Sequence, residues 1–312
     1  YFLVDTPQKR NKLVGDIRNQ KTFCFDTETT GKDPNNCELG GMSFALNPGE
    51  ACFVSLPDNY EESLKIVKEF KTVFEDESIE KTGQNLKFDI SVLKWYETEV
   101  KGKLFDTLLA HYLIEPDQRH NMDFLAGHYL KYKTISYGEL TEKKGSKQLS
   151  LRQVQQNKLN KLLDYAAEDA DITLRLREKL EPLLDNSGAR KLFDEIEIPL
   201  MPVLGDMEAT GVKIDRDTLK KFSKQLEEEI GAVEQEIHEM AMEKFNIGSP
   251  KQLGVVLFEK LKITDKPKRT KTKQYSTSED VLTKLEQKHP IVSKILDYRS
   301  LTKLKSTYVD AL

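Results

Sequence analysis

The chain has 312 residues, 38% of them hydrophobic and 32% charged, with a formal net charge of −4, a length that accommodates two domains with separate cores. No apolar run approaches the ~20 residues a membrane span requires, and the opening YFLVDTPQKR lacks the basic start and long apolar stretch of a secretion signal. Cys24, Cys37 and Cys52 at irregular spacing suit reduced thiols in the cytosol, and five histidines without ligand spacing argue against zinc held by Cys and His.

In chain order, apolar alternation predicts strands at Phe2–Asp5, Thr22–Thr27, Met42–Leu46 and Ala51–Leu56, the last two joined as a hairpin across Asn47-Pro48-Gly49-Glu50. Glu61–Phe74 reads as a helix, with Leu64, Val67, Phe70, Val73 and Phe74 on one face. A short strand before Gly83, a helix through Leu93 and another over Thr107–Ile114 follow, and Pro116 stops the last. Strands with helices on their faces make an α/β domain. The polar turn cluster Asp185-Asn186-Ser187-Gly188 is its natural end.

Beyond that turn the chain is mainly helical. Leu219, Phe222, Leu226, Ile230, Val233, Ile237 and Met240 form the apolar stripe of a helix of about 28 residues, read as core, with Asp215 or Asp217 as its cap. Ser249-Pro250 opens a second helix, Ser278 precedes a third over Glu279–Gln287, and His289-Pro290 opens the last. There is no internal repeat. The closing KSTYVDAL carries no turn or stop signal, which reads as a truncation of a longer chain.

Four carboxylates in three short motifs carry the chemistry: Asp26 and Glu28 in FDTETTG, Asp89 in GQNLKFD, and Asp169 in YAAEDAD. Asp26 and Glu28, two apart on a strand, point to one face. Tyr165 and Asp169, four apart, share a helix face, and Asn85 and Asp89 repeat that spacing. Singly, each motif is ordinary, a D-x-E at a strand end being more often a solvated turn. Their order and context together make the set specific. Four acids converging from three elements repel one another unless cations sit between them. Hard oxygen ligands suit Mg²⁺ or Mn²⁺, and a carboxylate-held pair of such ions is standard machinery for phosphodiester attack.

These motifs resemble those of the four-acid 3′–5′ exonucleases, in the subclass that uses tyrosine. The likeness extends through LFDTLLAHYLIEP, KTISY, GVKID, SPKQLGVVLFEKL, STSEDVL and YRSLTKLKSTY. Over essentially its whole length the chain is similar to the bacterial polymerase I branch of the family A DNA polymerases. The resemblance implies an α/β ribonuclease-H-like exonuclease domain over residues 1–185. Residues 186–312 would be the N-terminal part of a polymerase domain, mainly α-helical and including the thumb. It implies a proofreading exonuclease of DNA replication and repair, a monomer in the bacterial cytosol near the nucleoid. The palm carboxylates of synthesis are absent from these residues, so the chain itself is not expected to polymerise.

The resemblance also assigns roles. One ion would be held by Asp26, Glu28 and Asp169, and a second, touching Asp26, would be held through water by Asp89; Zn²⁺ is admissible at one of the two sites. Tyr165 would orient the attacking water, since a phenol of pKa ~10 is a poor base at neutral pH. Gln84 and Asn85 would contact the terminal nucleotides, Phe88 and Tyr137 would pack on sugar or base, and Arg119 would hold phosphate. Phe88 stands where tyrosine is frequent in the family, and Tyr137 where phenylalanine is; both keep an aromatic face.

The net charge of −4 argues against a nucleic-acid partner, yet Lys262–Lys273 (KITDKPKRTKTK) holds six basic residues and one acid. Alone it reads as a solvated loop. At the position of the thumb tip, Lys266, Lys268, Arg269, Lys271 and Lys273, with Lys303 and Lys305 on the last helix, would contact duplex phosphates. Two other readings compete. A ribonuclease D-type enzyme shares the acids and the tyrosine but lacks a GVKID or STSEDVL-like thumb. A catalytically silent DNA-binding scaffold has no use for clustered unpaired acids.

Overall fold

The computed structural model of the chain describes residues 1–141, 148–270 and 272–312. They form two compact units, 1–211 and 212–312.

The first unit is built on a six-stranded sheet of β1 (Phe2–Leu3), β2 (Thr22–Thr29), β3 (Leu39–Asn47), β4 (Glu50–Ser55), β5 (Glu80–Gly83) and β6 (Leu104–Asp106), ordered β1-β4-β3-β2-β5-β6. β2, β3 and β4 are antiparallel neighbours, whereas β1 on β4, and β5 and β6 beside β2, pair parallel. The expected hairpin is present, with Asn47 paired to Glu50. Helix α1 (Pro7–Arg18) and strand β6 lie where the sequence pattern predicts no element. Thr6 caps α1 through its side chain with proline in the first turn, a local start signal, and Leu13, Val14 and Ile17 are its buried face.

β2 sets the two sides of the sheet. Phe23 and Phe25 point into an aromatic layer with Phe44, Phe70 and Phe74, whose rings lie 5.0–6.1 Å apart. Helices α2 (Tyr60–Phe74) and α3 (Leu86–Trp95) share that layer with α1. Each fully buried phenylalanine there stabilises the unit by about 1.5–3 kcal/mol.

α4 (Thr107–Ile114), α5 (Met122–Leu125), α6 (Tyr137–Leu140) and α7 (Leu151–Asn157) lead to α8, which runs 29 residues from Leu159 to Ser187 and stops at Gly188 with φ +77°. The expected turn cluster is therefore mostly helix, with the break at its last residue. On the other face of the sheet, small residues meet: Cys24, Ala45 and Ala51 pack on Ala167 and Ala170 of α8. Short side chains let this helix cross close over β2. After α9 (Arg190–Leu192), α10 (Ile198–Thr210) packs on α3, with Lys87 to Glu208 and Lys94 to Asp206 ion pairs of 2.5 Å.

The second unit is helical. α11 (Arg216–Ala241), capped by Asp215, is antiparallel to α14 (Pro290–Lys303): Glu236 pairs with Lys294 near the start of α14, and Ser223 bonds Asp310 beyond its end. α12 (Pro250–Val255) and α13 (Glu279–Thr283) close the core around Ile237, Leu253, Leu257, Leu282 and Ile295. The α11 stripe is only partly core. Leu226 and Ile237 are buried, but Phe222 is 37% exposed.

Candidate active site

Strand alternation puts Asp26 and Glu28 on the α8 side of β2, and the alanine contact brings Asp169 of α8 to them. Ligand oxygens of Asp26, Glu28 and Asp169 all lie within 4.8 Å of one another. Glu28 and Asp169 are buried while Asp26 keeps partial access. Glu28 Oε1 and Asp169 Oδ1 are buried without a hydrogen-bond partner among the described residues. An unpartnered buried carboxylate oxygen is costly, so the site is built for something that supplies positive charge.

The electrostatics agree. Burial pushes the Asp26 carboxyl up to about 7. Burial first and the Asp26 charge second raise Glu28 well above the carboxylate range, and burial with Asp26 and Glu28 does the same to Asp169. A cation reverses this logic by favouring the ionised forms. All-oxygen, anionic donors fit Mg²⁺ or Mn²⁺.

Asp89 stands apart from the three. It reaches the strand from α3, in the opposite layer, and its Oδ1 accepts from the Thr27 backbone at 3.1 Å and from the Thr27 hydroxyl at 2.5 Å. Burial and the nearby Asp26 raise its carboxyl, partly offset by the Thr27 bonds. Thr27, hidden between the two acids of D-x-E, is therefore the residue that orients Asp89. Its only sequence signal is its place on the opposite strand face.

Tyr165, half-buried one turn before Asp169, hydrogen-bonds that carboxylate, and burial with the surrounding acids pushes its phenol far above the usual range. A phenol so placed stays protonated. Tyr137, 49% exposed at the start of α6, meets the Tyr165 ring edge-on at 6.4 Å.

Gln84 is half-buried and anchored, its Nε2 donating to the His120 carbonyl at 2.8 Å and its Oε1 accepting from Thr107. Asn85 is exposed and precedes α3 with φ 65° instead of lying inside the helix. Phe88 is half-buried against the aromatic layer, and Arg119 is exposed. Asp106, which sequence reasoning passed over, is 1% exposed and accepts from the backbones of Asn85, Leu86, Leu108 and Leu109. It caps α3 and α4 together, and an aspartate directly before TLLAHYLI was the available signal.

In the second unit, Lys266, Lys268, Arg269 and Lys273 are exposed, and Lys271 lies outside the described residues. The stretch is a small hairpin in which Arg269 bridges to Tyr275 and stacks its guanidinium 4.3 Å from that ring. Tyr275 lies over Gly254, where a Cβ would come within 2.7 Å of it. Lys303 is exposed, and Lys305 pairs with Asp310 at 2.7 Å.

Among known proteins, DNA polymerase I of Pseudomonas aeruginosa is 40% identical over 95% of this chain and 33% of its own length. That of Bacillus subtilis is 42% identical over 78% of this chain and 27% of its own. The chain thus spans about a third of the length of such relatives. A solved structure described as the POL domain of Pol1 from M. smegmatis in complex with DNA primer-template and dNTP matches with a TM-score of 0.80, over 98% of this chain and 49% of that one, at 22% identity. That likeness bears on the fold. Residues 1–185 match the 3′–5′ exonuclease family and residues 216–312 match DNA polymerase family A. The chain belongs to the family A DNA polymerases and carries their 3′–5′ exonuclease domain.

Proposed function

We propose that the first unit hydrolyses the 3′-terminal phosphodiester of single-stranded DNA and releases nucleoside monophosphates. The observation that carries this reading is the convergence of Asp26, Glu28 and Asp169 within 4.8 Å, with buried unpartnered oxygens on two of them. Asp26, Glu28 and Asp169 would hold one divalent cation, and Asp26 with Asp89 a second. Such ions, when bound, lower the pKa of water and neutralise charge on the departing oxygen.

The remaining roles fall to the chain. Tyr165, kept protonated by its surroundings, hydrogen-bonds and aligns the attacking water. Thr27 fixes the Asp89 carboxylate. Gln84 and Asn85 face the terminal nucleotides, Phe88 and Tyr137 offer faces for sugar and base, and Arg119 holds phosphate.

Residues 186–312 belong, in this reading, to the start of the polymerase domain, although residues up to Gly211 pack with the first unit. The hairpin residues Lys266, Lys268, Arg269 and Lys273, with Lys271, Lys303 and Lys305, touch the phosphates of duplex DNA; the DNA primer-template in the M. smegmatis structure supports this. Lys305 must first exchange its Asp310 partner. We assign hydrolysis to the first unit and duplex holding to the second, with no synthesis by this chain, and place it as a monomer in the bacterial cytosol. No helix among the described residues is long and apolar enough to cross a membrane.

The test is incubation with 5′-labelled single-stranded DNA, and with its RNA counterpart, in Mg²⁺. A ladder shortened from the 3′ end of DNA is expected. An RNA-only ladder would move the assignment to the ribonuclease D type, and no ladder in Mg²⁺ or Mn²⁺ would leave a silent scaffold.

A further inference from the structure

α8 carries two adjacent carboxylates that serve different parts of the unit. Asp169 faces the acid cluster, whereas Glu168, about 100° away around the helix, turns aside. Glu168 is 2% exposed, and both its oxygens are engaged: Oε1 accepts from the Tyr132 hydroxyl at 2.7 Å and Oε2 from the Ile135 backbone at 2.6 Å. Charge-assisted bonds of this kind are about twice as strong as neutral ones. Neither bond supports α8 itself.

What they hold is the segment 131–136, which has no helix or strand to define its path. It opens at Lys131 with φ 55° and closes at Ser136, the cap of α6, whose first residue is Tyr137. The Tyr132 ring is in turn covered by the Arg175 guanidinium at 5.4 Å, and Thr134 bonds Asp123 at 2.6 Å. Beyond these ties the next fixed point is the 6.4 Å contact of Tyr137 with Tyr165. Tyr165 and Glu168 lie within one turn of the same helix, so a rigid link joins the residue that orients the water to the wall opposite it.

We propose that Glu168 is a positioning residue for the DNA strand, clamping segment 131–136 to α8 so that the Tyr137 face stands at a set distance from Tyr165 and the acids. The inference rests on the reading of Tyr137 as a strand contact. Glu168 neither touches substrate nor holds a cation in this scheme. Its effect belongs in strand binding, not in the chemical step.

Three substitutions separate the roles. Glu168→Ala removes both bonds. Glu168→Gln retains them, because the amide oxygen can accept from Ile135 and the amide nitrogen can donate to the Tyr132 oxygen. Tyr132→Phe removes one hydroxyl while keeping the ring under Arg175.

Two measurements are made on the full chain: affinity for a fluorescent single-stranded octathymidylate in EDTA, and hydrolysis in Mg²⁺ of the same strand and of a nitrophenyl ester of thymidine monophosphate, which has no strand to align. For Glu168→Ala, strand affinity falls and KM rises by ~10-fold, about the effect of losing one strong hydrogen bond. kcat and the rate on the small ester stay within about threefold of the parent. Glu168→Gln restores the strand values and Tyr132→Phe shows a smaller loss of the same kind, which carries the test if the alanine variant does not fold.

Equal loss on strand and small ester overturns the proposal, since Glu168 would then act on the acid cluster or the fold as a whole. Unchanged strand binding in both Glu168→Ala and Tyr132→Phe also overturns it. Tyr137→Ala serves as the separate control: if it leaves strand affinity intact, the reading of Tyr137 fails, whatever Glu168 does.

Discussion

In the metal-free protein, replacing Asp26 with asparagine should raise stability, and the gain should grow with pH. Folding lifts the Asp26 carboxyl from 3.8 to about 7, mainly by burial. A carboxyl raised on folding contributes stability that is complete below the unfolded value and is lost as pH rises through the folded one. The window is therefore pH 4 to 7. The shift of about 3 units amounts to ~4 kcal/mol at ~1.36 kcal/mol per unit. Asp26 keeps partial solvent access, so about half, ~2 kcal/mol, is the working figure. In a unit of this size ~2 kcal/mol moves Tm by about 4–8 °C. The asparagine variant avoids the charge and also relieves Glu28 and Asp169, which Asp26 pushes up. Melting both proteins in EDTA from pH 4 to 9 should give equal Tm at pH 4 and a higher Tm for the variant at pH 8. Adding Mn²⁺ at pH 8 should raise the parent more than the variant, because binding to the native state adds stability. Equal melting of the two at pH 8, or a parent advantage growing with pH, would refute the unpaired-acid account of this site.

Asp26→Ala should lower hydrolysis at least ~10²-fold, comparable to removing a main electrostatic stabiliser, and adding Glu28→Ala should cost far less than a second such factor because the two act as a unit; single-turnover rates check both. A frayed or mismatched 3′ end should be degraded faster than a paired end, since each stacked step costs about 1.4 kcal/mol to open. Equal rates at low temperature would count against single-strand entry. Replacing Lys266, Lys268, Lys271 and Lys273 with alanine, sparing the Arg269 that stacks on Tyr275, should weaken duplex binding and leave short single strands hydrolysed. The slope of log affinity against log salt should drop by about 0.9 for each lost phosphate contact. An unchanged slope would return this hairpin to a merely solvated role.

How much of this was legible beforehand differs by residue. The Thr107–Ile114 helix, the Asn47–Glu50 hairpin and the Ser249-Pro250 helix start are legible in the sequence, because caps, prolines and turn residues act within a few positions. β6 was missed: three residues do not establish a period, and it exists because β5 offers a parallel edge. The α11 stripe has the pattern of a core face, yet whether a stripe is covered depends on what the fold lays on it, and Phe222 stays 37% exposed.

That Asp26 and Glu28 share a strand face, and Tyr165 and Asp169 a helix face, follows from residue spacing alone, through the backbone periods of 2 and 3.6. That the two faces meet is a matter of packing between α8 and the sheet. Small residues on both sides, Cys24, Ala45 and Ala51 against Ala167 and Ala170, let α8 approach the sheet closely enough to join the acids. Packing likewise brings Asp89 from the opposite layer to bond Thr27, and turns Glu168 away to hold Tyr132 and Ile135. Adjacent carboxylates look alike in a sequence. Their roles diverge because each helix face meets a different neighbour, and which neighbour it meets is set by sheet order and packing across more than a hundred residues of chain.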